Sequence, residues 1–227
     1  MSHFEELLEK LRGKLLEMSG LVQSAIRESV QSLVSGDESA VKSARKREGE
    51  INRLELEIDE IATSILALDQ PVAGDLRFVT AAGKINNNLE RIGDLAVNIA
   101  GRSESLARLP QLAIRTDISK LAELAESMVK QALEAFVKKD AEAARAVLLA
   151  DDAVDALRDT ILLDLIREMK RSSEAVEACV DLMLSARNLE RIADHATNIA
   201  EAVVFMAEGV DIRHHNARIG ATAGAPL

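Results

Sequence analysis

Two segments of this sequence carry the same acidic and amide side chains at the same spacing. The first reads NLERIGDLAVNIA from Asn88 to Ala100, and the second reads NLERIADHATNIA from Asn188 to Ala200, so that ten of thirteen positions agree. Residues four apart lie on one face of a helix, so each copy predicts a short ladder of oxygen atoms. The ladders consist of Glu90, Asp94 and Asn98 in the first copy and of Glu190, Asp194 and Asn198 in the second.

Such a ladder favours the binding of a hard metal cation. Two carboxylates at i and i+4 repel each other by about 0.2–0.5 kcal/mol on a helix surface, and a cation held between them would offset the repulsion. Oxygen ligands favour Mg²⁺, Mn²⁺, Ca²⁺ or iron, whereas zinc usually takes Cys or His. The alternative is an acidic pair stabilised by solvent and a nearby arginine, and Arg187 is placed for this in the second copy, where the first has Asn87.

The preceding helix of each half offers further oxygen ligands at the same spacing. Glu48 with Asn52, and Asp151 with Asp155, again stand four residues apart. We expect them to complete the two sites, although acidic residues near a helix start are also stabilised by the helix dipole. His195 follows Asp194, and we expect it to be a polar surface residue rather than a ligand.

The elements that must position these ladders are long helices. Helical periodicity runs nearly from end to end, and the turn signals that interrupt it leave six helices. We expect Pro71 to open the third helix, with Asp75 in its first turn. The predicted breaks are Ser35–Asp37, Asp69–Pro71, Leu109–Pro110, Lys138–Asp140 and Arg171–Ser173.

The duplication covers all three helices of each half. An offset of 103 residues places Asp140 on Asp37, and both are predicted N-caps of a middle helix. The sequence therefore predicts an all-α fold of two tandem antiparallel three-helix bundles. We expect the first repeat at residues 1–109, a linker at 110–116, the second repeat at 117–210 and a flexible tail at 211–227.

The apolar positions of the second phrase predict which side of its helix faces the core. They form one broad stripe, and the Glu190 ladder points nearly opposite to it, so we expect the ladders to face outward. Gly93, whose counterpart is Ala193, is expected where two helices approach closely. The stripe consists of Leu189, Ile192, Ala193, Ala196, Ile199, Ala200 and Val203.

Composition excludes several classes of protein. A net charge of -10 argues against nucleic-acid binding, which depends on Lys and Arg. The sequence has neither an apolar run long enough for a membrane span nor a signal peptide at its start, so we expect a cytoplasmic protein that does not insert into membranes. Cys179 is the one cysteine and is expected to be a small buried hydrophobe.

Several motifs in order resemble the PhoU family of phosphate-uptake regulators. They are INRLELEID (51–59), DQPVAGDLR (69–77), NLERIGD (88–94), NLERIAD (188–194) and EGVDIRH (208–214). The resemblance implies multinuclear metal clusters at Glu90 with Asp94 and at Glu190 with Asp194. It also implies a homodimer without catalytic activity that couples the ATPase subunit of the phosphate ABC transporter to a sensor histidine kinase, and that lowers uptake and the starvation response when phosphate is plentiful.

Two departures distinguish the copies. Leu95 stands where a histidine often follows the aspartate, and Gly101 stands where the second copy has Glu201, so the first cluster is expected to be the weaker one. A di-metal enzyme of ferritin type would need E-x-x-H pairs, and the chain has none. A purely structural helical scaffold without metal stays open as the alternative.

Overall fold

The computed structural model describes residues 3–35, 38–106 and 115–213, and within these ranges it contains helices and no strand. The predicted all-α fold is confirmed. Six long helices follow one another along the chain, with a π-helical turn at Ile65–Asp69 and a 3₁₀ turn at Ser173–Ala175. The helices are α1 (His3–Ser35), α2 (Glu38–Ser64), α3 (Ala73–Leu106), α4 (Arg115–Lys138), α5 (Ala141–Arg171) and α6 (Val176–Glu208).

The helix ends agree with the predicted turn signals. Asp140 caps α5, because its Oδ1 accepts a hydrogen bond from the backbone N–H of Ala143 at 2.9 Å. Its predicted counterpart Asp37 lies outside the described residues, as does most of the predicted linker, and α4 already begins at Arg115. Most of the predicted flexible tail, from residue 214 onward, also lies outside them.

The expected role of Pro71 is wrong in detail. The chain leaves the π-helical turn through Gln70, which has a left-handed φ of 46°, and Pro71 and Val72 are not helical. Helix α3 therefore begins only at Ala73, with Asp75 in its first turn as expected.

Helices α1, α2 and α3 pack against one another as one antiparallel bundle, and α4, α5 and α6 pack as a second. The two bundles lie side by side, with α3 against α6 and α1 against α4. The rings of Phe78 and Phe136 stack across this junction, with centroids 5.7 Å apart. Buried side chains from both repeats consequently form one continuous apolar core.

Helices α3 and α6 run in opposite directions along their shared seam. Arg77 Nε donates to the carbonyl of Met206, Asn88 contacts His195, and Arg102 donates to Asp181. Higher numbers on α3 thus meet lower numbers on α6. This antiparallel crossing brings the two copies of the repeated phrase against each other at the centre of the molecule.

The predicted apolar stripe is confirmed at all seven positions, each of which is fully buried. Gly93 lies where α2 and α3 approach closely, as expected, because a Cβ there would stand 3.0 Å from Ile51 Cδ1. Cys179 is also buried, and burial raises the pKa of its thiol. The helices in the described ranges include no candidate for a membrane span.

Candidate functional site

The acidic ladders lie along the junctions of α3 with α2 and of α6 with α5. Only 17% of the Glu90 side chain and 21% of the Glu190 side chain are exposed, whereas Asn98 and Asn198 are exposed to solvent. The prediction that the ladders face outward is therefore right for the asparagines and for Asp194, which is exposed, and only partly right for Asp94 and the two glutamates, which are half-buried. The physical reason is that α2 and α5 pack over this side of their neighbours and cover the glutamates.

In the second repeat, helix α5 brings its acidic pair to the ladder of α6. Burial, followed by the negative charges of Asp194 and Asp155, raises the pKa of Asp151 to about 6. Burial and the charge of Asp155 likewise raise the pKa of Asp194. The four predicted side chains, Glu190 included, therefore form one electrostatically coupled cluster.

Arg158 of α5 reaches into this second cluster. Its Nη2 lies 2.9 Å from Asp155 Oδ1 and 3.9 Å from Glu190 Oε1, and its Nε lies 3.4 Å from Asp159 Oδ1. The pKa of Glu190 is still raised by burial and by Asp194, although Arg158 opposes this shift. Arg158 is not among the residues predicted from the sequence. The offset of 103 residues nevertheless aligns it with Glu55, so the reversal of charge at this position is visible in the sequence.

In the first repeat, Glu55 is the α2 side chain that acts on the ladder. Burial, then Asp94, and to a smaller extent Glu55 raise the pKa of Glu90, while Arg91 opposes the shift. The Arg91 Nε lies 3.4 Å from Glu90 Oε2. The predicted α2 ligands differ in burial, since Glu48 is half-buried and Asn52 exposed.

The donor atoms of both clusters suit a hard cation, because they are nearly all carboxylate oxygens that repel one another. Within the described ranges, however, no three Asp, Glu, His or Cys side chains converge closely enough to hold a metal ion. A cation bound at either ladder would therefore require side-chain rotations. In the second repeat it would also have to compete with the guanidinium of Arg158.

His195 is not the polar surface residue that the sequence suggested. Its ring is half-buried in the α3–α6 seam, and its Nδ1 lies 2.8 Å from Asn88 Oδ1. The amide nitrogen of Asn88 donates to the carbonyl of Lys84, so its oxygen faces the ring and Nδ1 carries the hydrogen. Burial, and then Arg191 and Arg91, lower the pKa of His195, which favours the neutral ring in this contact between the two repeats.

Comparison with known proteins agrees with this architecture. The PhoU domain family matches residues 15–103 and 118–203, once for each three-helix repeat. A phosphate-specific transport system accessory protein PhoU homolog of Pseudomonas aeruginosa is 35% identical over 212 residues, which cover 93% of this chain and 88% of that protein.

Two crystal structures share the fold over nearly their whole length. PhoU from Pseudomonas aeruginosa is 34% identical with a TM-score of 0.87, and the match covers 92% of this chain and 100% of that one. The phosphate transport system regulatory protein PhoU from Streptococcus pneumoniae is 27% identical with a TM-score of 0.85, and the match covers 92% and 99% of the two chains.

Proposed function

This chain belongs to the PhoU family, and from that premise we propose that it is a cytoplasmic negative regulator of phosphate uptake and of the phosphate-starvation response. The observation that carries the proposal is the extent of the match, which includes both repeats and most of a relative named as an accessory protein of phosphate-specific transport. The protein acts through contacts with other proteins and without catalysis.

The partners are the ATPase subunit of the phosphate transporter and a sensor histidine kinase, and the protein acts as a homodimer. Support for a docking surface comes from the turn between α2 and α3, where Leu68 is 79% and Val72 is 73% exposed. Leu66 and Leu76 flank them and are also exposed, so the turn presents an apolar patch to solvent.

The docking patch is tested by copurification of the ATPase subunit with a Leu68→Asp/Val72→Asp variant. We expect the variant to lose the ATPase while keeping its helical content and melting temperature. Leu149→Asp is the matched control, because Leu149 is also an exposed leucine, 65% accessible, and lies on α5. Equal recovery of the ATPase with all three proteins would reject this surface.

Each acidic cluster is proposed to bind metal ions held by oxygen ligands, such as iron, Mg²⁺, Mn²⁺ or Ca²⁺. The ions would be held by Glu90 with Asp94 and by Glu190 with Asp194, and their charge would relieve the repulsion among these carboxylates. The raised pKa of Glu90, caused by burial and by Asp94, supports the proposal. A metal-free helical scaffold is the competing reading.

Metal content separates these two readings. Protein purified without chelator is compared with the Glu90→Ala/Asp94→Ala/Glu190→Ala/Asp194→Ala variant by elemental analysis. We expect metal in the first and little in the second. The same low content in both proteins would favour the metal-free scaffold.

The regulatory role is tested in the cell. Deletion of the gene is expected to raise a phosphate-starvation phosphatase in high-phosphate medium, and the wild-type gene is expected to restore repression. The quadruple variant reports whether the acidic clusters are needed for this effect. Unchanged repression in the deletion strain would count against the proposed function as a whole.

A further inference from the structure

The two acidic clusters differ in charge at aligned positions of α2 and α5. The offset of 103 residues that aligns α5 with α2 places Asp151 on Glu48, Asp155 on Asn52 and Arg158 on Glu55. The first two pairs keep an oxygen donor, although Asn52 is neutral where Asp155 is charged. In the third pair, a carboxylate in the first repeat is replaced by a guanidinium in the second. Glu55 interacts with Glu90 of its own repeat, and Arg158 interacts with Glu190 of its own.

Arg158 makes the contacts that a bound cation would make. Only 26% of its side chain is exposed, and it reaches oxygens on both helices, Asp155 on α5 and Glu190 on α6. A guanidinium is always charged at physiological pH and presents several donors in one plane. It therefore neutralises part of the second cluster and bridges the two helices with no external ligand.

Other arginines increase this difference. A cleft of about 510 Å³ runs beside the second ladder, and Arg158, Arg187 and Arg191 all line it together with Glu190 and Asp194. In the first repeat the equivalent positions are occupied by Glu55, Asn87 and Arg91, so that only one of the three carries a guanidinium. A cation approaching the second ladder meets more positive charge than one approaching the first.

We propose that Arg158 is a resident counter-cation of the second cluster, and that the first cluster, with Glu55 at the equivalent position, is the tighter metal site. This inference rests on the proposed metal binding. It reverses the ranking that Leu95 and Gly101 suggested from the sequence, because the charge on the neighbouring helix outweighs the loss of one or two peripheral ligands.

The test isolates each site and titrates it with Mn²⁺. Glu190→Ala/Asp194→Ala leaves the first cluster, and Glu90→Ala/Asp94→Ala leaves the second. Chelator-treated proteins are titrated, and free Mn²⁺ is followed by electron paramagnetic resonance. We expect the first cluster to bind Mn²⁺ at least tenfold more tightly than the second.

Substitutions at the exchanged position assign the cause. In the background that retains the second cluster, Arg158→Gln is expected to tighten Mn²⁺ binding about tenfold, and Arg158→Lys, which keeps the charge but not the planar donors, to tighten it clearly less. Arg167→Gln is the matched control, because Arg167 lies on the same helix, is 75% exposed and pairs with Asp164. It should have no effect.

The reciprocal change tests the same claim without altering α5. In the background that retains the first cluster, Glu55→Arg is expected to weaken Mn²⁺ binding more than Glu55→Gln does, because it adds a positive charge as well as removing an oxygen donor. Circular dichroism and melting temperature verify that each variant is folded.

The outcomes distinguish this inference from the proposed function. If Mn²⁺ binds to the wild-type protein but the two backgrounds bind equally, or if Arg158→Gln leaves the second cluster unchanged, the inference is overturned and metal binding stands. If no Mn²⁺ binds to any of the proteins, the proposed metal binding fails and the inference fails with it.

Discussion

Gly93 of α3 packs against the side chain of Ile51 of α2, and a Cβ on Gly93 would stand 3.0 Å from Ile51 Cδ1. At the equivalent positions of the second repeat the pair is Ala193 and Val154, both buried. One methyl group has therefore moved from one helix to the other, which keeps the total volume of the contact similar.

Gly93→Ala is expected to destabilise the protein. Overpacking lowers the free energy of unfolding by about 1–3 kcal/mol. The higher helix propensity of Ala offsets about 1 kcal/mol of this loss. Adding Ile51→Val recreates the pair of the second repeat and should recover at least ~1 kcal/mol relative to the sum of the single changes. Urea unfolding of the four proteins measures the coupling, and strictly additive effects would contradict the complementary packing.

Phe136→Ala is expected to destabilise both repeats together. The stacked pair of Phe78 and Phe136 lies between the bundles, and loss of a buried Phe costs about 3–5 kcal/mol. Because the core is continuous, thermal unfolding should remain one transition at a lower temperature. Val137→Ala, at the exposed neighbouring position, should change little. Two separable transitions, of which only one moves, would show that the bundles unfold independently.

Asp140→Ala is expected to cost about 1 kcal/mol, because the first turn of α5 loses the side-chain acceptor of the Ala143 N–H. Asp140→Asn keeps an oxygen at the same place and should retain most of the stability. Urea unfolding at neutral pH compares the three proteins. If the Asn variant were as unstable as the Ala variant, capping would not explain the effect.

The raised pKa of Asp151 predicts how stability changes with pH in metal-free protein. Burial and the charge of Asp194 raise it from 3.8 to about 6, so between these values the folded state binds more protons than the unfolded state. Stability from this group is therefore greatest below pH 3.8 and is lost as the pH rises through 6.

Asp151→Asn removes this loss. With chelator present, we expect its melting temperature at pH 7.5 to exceed that of wild type by about 2–4 °C, a small shift because solvent screens a half-buried group. Near pH 4 the two proteins should differ less. Glu177→Gln, an exposed carboxylate on α6, should give no such pH-dependent gain. An equal difference at both pH values would exclude ionisation of Asp151 as the cause.

The helices and their buried faces could be predicted from the sequence because their signals are local. Turn residues such as Asp140 mark the ends, and the stripe from Leu189 to Val203 has helical periodicity. The ladder residues were found in the same way, because a spacing of four places Glu190 and Asp194 on one face.

The surroundings of the ladders could not be predicted because they depend on how helices pack. Whether Glu190 is covered depends on the position of α5, and the contact of His195 with Asn88 depends on the direction in which α3 and α6 cross. The role of Arg158 lay between these cases. Its alignment with Glu55 was visible in the sequence, but only the structure places it against Glu190.

The antiparallel seam between α3 and α6 has the geometry of a contact between two copies of one subunit, but a single chain forms it. In a symmetric dimer every substitution at such a contact would occur twice. Here His195 of α6 bonds to Asn88 of α3. The equivalent pair, Leu95 of α3 and Asn188 of α6, cannot form this bond because leucine has no polar side-chain atom. Covalent linkage of the repeats thus allows each half to change its side chains independently while both keep the same backbone arrangement.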